Sequence, residues 1–352
     1  MTTKNLVILA GAAALLGAGA WLTSSGSRVR APALNGKRVT ADFNVADVAC
    51  VEIAGKLKIS AGEKGWSLDT KYSYPASVDK IRENVLKLHD LKVGQVARGR
   101  KMGESVKVEI KDAAGKALAA VELGDKRFAK PRGQMAMFAG GGYPDARYLK
   151  FEGECVLVKD PLTAFDGDFG QWVDTRICEV PSADVIGVSF TTGGKTLNLT
   201  KKDSAWTLAG LDTKEELDTS KTYSLDSALS YLNFTDVADP KLSEAELGFA
   251  TGSVYTVSLK NGRVYKAEIG NIAKGGGDRY FRVSSSFKSV GTNAVENAAI
   301  EKDVADFNAG VSKWTYLIAS YSAEQMIKSR KDIVKAKEEP KKDESAKGTA
   351  KK

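Results

Sequence analysis

Histidine and cysteine are nearly missing from this chain: His89 is alone, and Cys50, Cys155 and Cys178 are the only thiols in 352 residues. Histidine-dependent triads would all have to run through one residue, and a histidine metal site needs more than one. His89 precedes Asp90 on a helical pattern, where consecutive side chains point in different directions, so a boundary histidine is expected rather than a His-Asp dyad. The cysteines fall in no zinc spacing. Their odd number favours plain buried thiols, while Cys50 and Cys155, both in strand-like stretches, would be the pair to bridge in an oxidising compartment.

With imidazole and thiolate chemistry set aside, carboxylates are the remaining route to catalysis. Asp160, Asp166, Asp168 and Asp174 form one acidic cluster, but it has no Asp-x-Asp-x-Asp-Gly frame with a closing Glu, and a polar turn between Phe165 and Trp172 accounts for it. A carboxylate-dependent hydrolase would need two acids facing each other at about 5–10 Å, and no clear pair stands out. Two glycine-rich loops, at 140–142 and 275–277, lack the Lys-Ser or Lys-Thr of a phosphate cradle. No catalytic residue, metal or cofactor is therefore expected.

The formal charge of +8 is modest for this length, and basic residues alternate with acidic ones, so a mixed solvated surface is expected rather than a nucleic-acid face. Long hydrophobic runs are also scarce, with one exception. After Lys4, residues 6–22 are apolar and about the minimum length for a bilayer-spanning helix. A cleaved signal peptide ending near Ala18-Gly19-Ala20 competes with a retained anchor, which the continuation through Trp21 and Leu22 favours. Positive-inside counting alone, with Arg28, Arg30, Lys37 and Arg38 after the run, would keep the chain cytoplasmic; the simpler reading is export, with the bulk outside the cytoplasm. Residues 1–22 are thus read as a membrane anchor or signal, 23–44 as a tether, and 322–352 as a charged helical or disordered tail.

What the chain does contain is the same message twice. Ala46-Asp47-Val48 opens a run through Val51, Ile53, Gly55-Lys56, Leu57, Ile59, Trp66 and Leu68. Ala183-Asp184-Val185 opens another through Val188, Phe190, Gly194-Lys195, Leu197, Leu199, Trp206 and Leu208. The correspondence continues through Val85 and Leu88 with Leu229 and Leu232, Leu123-Gly124 with Ile269-Gly270, Arg147-Tyr148 with Arg279-Tyr280, and Phe165 and Trp172 with Phe307 and Trp314. A period of roughly 140 residues is that of a duplicated domain, not of a solenoid. The repeats are placed at 45–180 and 181–321.

Each repeat starts with alternating apolar and polar runs broken by glycine, an antiparallel meander in which Trp66 and Trp206 are expected as core anchors. Ser77 then caps a helix carrying Ile81, Val85, Leu88 and either Leu86 or Leu91 on one face, with a counterpart helix starting at Ser224. Strands over 106–111 and 117–124, and over 254–260 and 264–270, form hairpins, the second turned by Asn261-Gly262. The fold class is α+β: two tandem homologous repeats, each a mostly antiparallel sheet with one packed helix, after an N-terminal transmembrane helix.

Gly65-Trp66, the helix through Val85 and Leu88, Val121-Glu122-Leu123-Gly124, Ala267-Glu268-Ile269-Gly270, Leu247-Gly248 and Arg279-Tyr280-Phe281 together resemble the domain of unknown function 4340 family, from Val45 to about Tyr321. Phe249-Ala250-Thr251-Gly252 stands where members often have a proline after Leu-Gly. The resemblance implies an accessory role beside gliding-motility-type ABC transporter components and supplies no catalytic residues. The expected function is that of a membrane-anchored extracytoplasmic scaffold or accessory protein of an envelope or ABC-type transport system, with a protein partner. The alternative is a glycan- or peptide-binding module using the cleft between the repeats. Arg147, Tyr148, Arg279 and Tyr280, placed alike in both halves beside a glycine-rich loop, are the candidate ligand-binding residues.

Overall fold

The computed structural model describes residues 34–129 and 142–337. The anchor expected over residues 1–22, the first half of the tether, most of the first glycine-rich loop and the tail beyond 337 lie outside the described residues. Among the described residues no helix is long and apolar enough to cross a membrane. The chain divides into two compact units, Met1–Trp172 and Val173–Lys352.

In unit 1, β1 (Cys50–Ile53), β2 (Leu57–Gly62), β3 (Gly65–Leu68) and β4 (Tyr74–Pro75) form the meander, followed by α1 (Val78–His89). After β5 (Gln95–Val96), the strands β6 (Val106–Lys111), β7 (Ala117–Ala129), β8 (Tyr143–Phe151) and β9 (Glu154–Val158) complete one sheet ordered β4-β3-β2-β1-β6-β7-β8-β9-β5. All its pairings are antiparallel, and period-2 alternation places Val51, Ile53, Ile59, Leu68, Val108 and Ile110 in the core. Ser77 caps α1 by accepting from the Lys80 amide, and Ile81, Val85 and Leu88 face inward. Leu91, past the helix end, is buried, whereas Leu86 is exposed.

Unit 2 begins with β10 (Arg176–Cys178), then β11 (Val185–Thr192), β12 (Lys195–Lys202), β13 (Ala205–Leu208), β14 (Glu215–Leu217) and the short α2 (Thr219–Thr222). There follow β15 (Leu232–Asn233), β16 (Asp236–Val237), α3 (Glu244–Leu247), β17 (Ser253–Leu259), β18 (Arg263–Ile272) and β19 (Arg279–Phe287). The chain then forms α4 (Ala294–Val311), β20 (Tyr316–Ile318), α5 (Ser320–Met326), α6 (Arg330–Ile333) and β21 (Val334–Ala336). The main sheet runs β13-β12-β11-β17-β18-β19-β20-β16, so the meander, the long hairpin and the returning strand follow the same order as in unit 1. The molecule is therefore a mostly antiparallel α+β protein.

Three local expectations need correction. Leu225, Leu229 and Leu232 are buried as a helix face would be, but residues 223–230 are successive turns, and Leu232 lies on β15. Here α2 ends after one turn because Tyr223, Ser224 and Asp226-Ser227 carry poor helix formers and local hydrogen-bonding groups, with the Ser227 hydroxyl donating to the Ser224 carbonyl at 2.9 Å. The long helix of the unit is instead α4, which packs along β19. Trp66 and Trp206 are half-buried rather than core anchors, since each lies near the end of a short edge-side strand. The enclosed tryptophan is Trp172, whose Nε1 donates to the Ala164 carbonyl at 2.9 Å and which packs edge-on against Phe165.

Order also extends further along the chain than residue 321. Ile333 is fully buried and Val334–Ala336 pairs antiparallel with Glu215–Leu217, while Arg330 bonds the Glu215 carboxylate. The three thiols are unpaired. Cys50 on β1 and Cys155 on β9 are separated by four strand spacings, about 19 Å, well beyond disulfide reach.

Candidate functional site

Both long hairpins contain one extra residue at the same place. In β7–β8 the register runs Leu123↔Leu149 and then Lys126↔Arg147; in β18–β19 it runs Ile269↔Phe281 and then Ile272↔Arg279. Three steps on one strand thus oppose two on the other, which is a β-bulge, and the bulged residues start at Gly124 and Gly270. A bulge frees a carbonyl from the ladder, and here the opposing arginine takes it. Arg147 Nε donates to the Gly124 carbonyl at 3.0 Å, and Arg279 Nη1 donates to the Gly270 carbonyl at 3.1 Å.

Beyond that shared bond the two candidate Arg-Tyr pairs diverge. The Arg147 side chain is 5% exposed, and its Nη1 donates to Asp166 Oδ1 at 2.8 Å and to the Leu162 carbonyl at 3.2 Å. Lys126 reaches the other oxygen of Asp166 at 2.6 Å. Arg147 is thereby spent within unit 1. Tyr148 is half-buried under the Arg100 guanidinium, 3.8 Å above its ring, and Arg100 also pairs with Asp125 at 3.3 Å.

In unit 2, Arg279 and Tyr280 border an open depression of about 550 Å³ together with Glu246, Asn271, Ile272 and Lys274. Tyr280, which lines it, belongs to an apolar cluster with Ala238, Leu247 and Ala273. The rim is set by α3, whose N-terminus carries a capping box: Glu246 Oε2 accepts from the Ser243 amide at 3.1 Å while the Ser243 hydroxyl accepts from the Glu246 amide. That amide bond, with Lys274 at 3.0 Å, holds the Glu246 carboxyl down at about 2. Asn271 donates to the Glu246 carbonyl at 3.1 Å, fastening α3 to the bulge. Arg282 forks onto Glu244 and stacks over Phe249. Gly275, Gly276 and Gly277 form the turn between β18 and β19 beside this rim.

The acidic cluster has structural employment. Asp160 accepts from the Leu162 amide, Asp168 from Gly170 and Asp174 from Arg176, while Asp166 holds Arg147 and Lys126. Among the described residues no three His, Cys, Asp or Glu side chains are grouped to hold a metal ion. The His89 expectation is corrected in part: Asp90 is the helix cap rather than a helical residue, so its carboxylate turns back to His89 Nδ1 at 2.8 Å. His89 Nε2 meets Asp42 at 3.1 Å, and Arg38 touches both aspartates, so the imidazole fastens the segment around residues 38–43 to the end of α1.

The arginine and tyrosine positions are visible in sequence through the repeat, but the depression is not. Glu246, Asn271 and Lys274 have no shared motif, and only the capping pattern Ser243-x-x-Glu246 marks α3.

Comparison with known proteins gives one relationship. The profile of a domain of unknown function (DUF4340) matches residues 66–251, more than half of the chain, and the chain belongs to that family. No curated protein and no solved structure matches it.

Proposed function

We propose that this DUF4340 protein is a membrane-anchored accessory or scaffold protein of an envelope or ABC-type transport system, standing outside the cytoplasm and acting through protein contacts. The apolar run at residues 6–22 supports the anchor, and the two units are read as tandem homologous repeats because their sheets share strand order, bulge position and the arginine opposite each bulge. The observation that carries the non-enzymatic reading is the use made of the acidic cluster. Each of Asp160, Asp166, Asp168 and Asp174 is bonded to an amide or cation of its own unit, which leaves no facing carboxylate pair there to act on a substrate.

Accessible binding surface lies elsewhere. Unit 1 has a groove lined by Val45, Val48, Trp66, Val78, Ile81 and Leu86, with Val78 and Leu86 exposed, and unit 2 has the Arg279 depression. The test is affinity purification of the detergent-solubilised full chain from its native membranes, compared with a chain lacking residues 1–36, with mass spectrometry of co-purifying proteins. Reproducible recovery of transporter subunits supports this reading. Recovery of the protein alone, repeated after crosslinking, overturns it.

A further inference from the structure

Arg147 and Arg279 occupy the same register position and bond the same bulge carbonyl, but their electrostatic surroundings differ. Arg147 is neutralised by Asp166. Arg279 has no carboxylate partner among the described residues, and its Nε is enclosed without a hydrogen-bond partner. The topology shows why. Phe307 precedes β20 whereas Phe165 follows β9, so the two do not correspond in the fold; the segment after β9 brings Asp166 to Arg147, while the segment after the equivalent β20 forms α5, which pairs no carboxylate with Arg279. Lys126, paired with Arg147 in the ladder, is matched by Ile272 opposite Arg279. Unit 2 has kept the guanidinium and lost the acid.

A guanidinium withdrawn from water on one edge and facing no anion is costly, and such a group is retained where a partner supplies the charge. We propose that the Arg279 depression binds a carboxylate of a peptide segment, a C-terminus or an Asp or Glu side chain, in the role Asp166 plays for Arg147. This rests on the protein-contact reading above and names the chemistry of the contact. The incoming carboxylate pairs with the Arg279 guanidinium through charge-assisted hydrogen bonds. Asn271 has its amide committed to α3, so its carbonyl oxygen is left to accept a peptide N–H. Ile272, 55% exposed, and Tyr280 offer apolar walls for the carbon chain of an amino acid. The lining charges are Arg279 and Lys274 against Glu246, a net single positive charge that suits a monoanion better than a phosphate dianion.

The experiment uses the detergent-solubilised full chain on an array of random octapeptides printed in matched pairs: free C-terminal carboxylate against amide, and internal Asp or Glu against Asn or Gln. Carboxylate members are expected to bind at least about tenfold more tightly than their neutral twins. Arg279→Gln should abolish that preference. Lys274→Gln, on a side chain 84% exposed that cannot unfold the unit, should weaken binding several-fold. Equal binding of the paired peptides, wild-type behaviour of both variants, no peptide binding by folded wild type, or competition by inorganic phosphate as effective as by acetate would each overturn the proposal. A discriminating array alongside a purification that yields no transporter subunit would leave this site standing and remove the transport assignment alone.

Discussion

Gly270 and Leu247 approach so closely that a Cβ on the glycine would stand 2.1 Å from the leucine carbonyl oxygen. Backbone meets backbone there, and neither side can swing away. Gly270→Ala is therefore expected to lift α3 off β18 and to destabilise unit 2 by about 3 kcal/mol, in the range of severe overpacking. The corresponding Gly124 faces the flexible Met102 side chain at 2.9 Å, so Gly124→Ala should cost about 1 kcal/mol or less. Denaturant unfolding of both variants gives the ranking, and equal losses would contradict it.

Asp166→Asn should destabilise unit 1 by about 3 kcal/mol, because it strands the nearly buried Arg147 and frees Lys126. Arg147→Met in the same chain should recover part of the loss, since it removes the charge left without a partner. A double-mutant cycle by urea denaturation measures the coupling; additive losses would show that the pair does not act as a unit.

Fold class was legible because the local signals agree with one another. Period-2 alternation from Val48 to Leu68, the Ser77 cap and Asn261-Gly262 each specify an element that tertiary packing also favours. The turns at 223–230 carry the pattern of a helix because three buried leucines at helical spacing are equally compatible with a coiled segment lying on a core. At the candidate site the paired arginines are visible, but the fate of each depends on what a distant segment brings: Asp166 after β9 in one unit, and no acid onto Arg279 from the segment after β20 in the other. No spacing rule records that difference.

Glu246 supplies a pH signature. Its folded carboxyl lies at about 2 against an ordinary 4.5, chiefly through the Ser243 amide and then Lys274. A depressed folded value stabilises the fold above the unfolded value, and that contribution disappears as pH falls from about 4.5 toward 2. Unit 2 of the wild type should lose stability across that window more steeply than Glu246→Gln. Parallel acid titrations of the two would remove the carboxylate as the cause.

The thiols should separate by reactivity. Burial pushes Cys178 up to about 12, and burial also raises Cys155, which is only half enclosed. Iodoacetamide at pH 8 should modify Cys50 and Cys155 in the native chain and reach Cys178 only after denaturant is added. Peptide mapping by mass spectrometry reads the order, and early labelling of Cys178 would show that β10–β15 opens locally.

In each main sheet a central seam joins segments distant along the chain: β1 lies against β6, with Ile53 opposite Val108, and β11 lies against β17, with Phe190 opposite Tyr255. The strands flanking these seams are built mainly from local hairpins, while the edge pairings β9–β5 and β20–β16 are again long-range. The meander and the hairpins can form quickly as local pieces, but closing the seam requires ordering the whole intervening segment first. Assembly of each unit is thus a docking of two prebuilt halves, and the rate of that docking, rather than the speed of any hairpin, sets how long the edges of β1 and β6 stay exposed to the wrong partner.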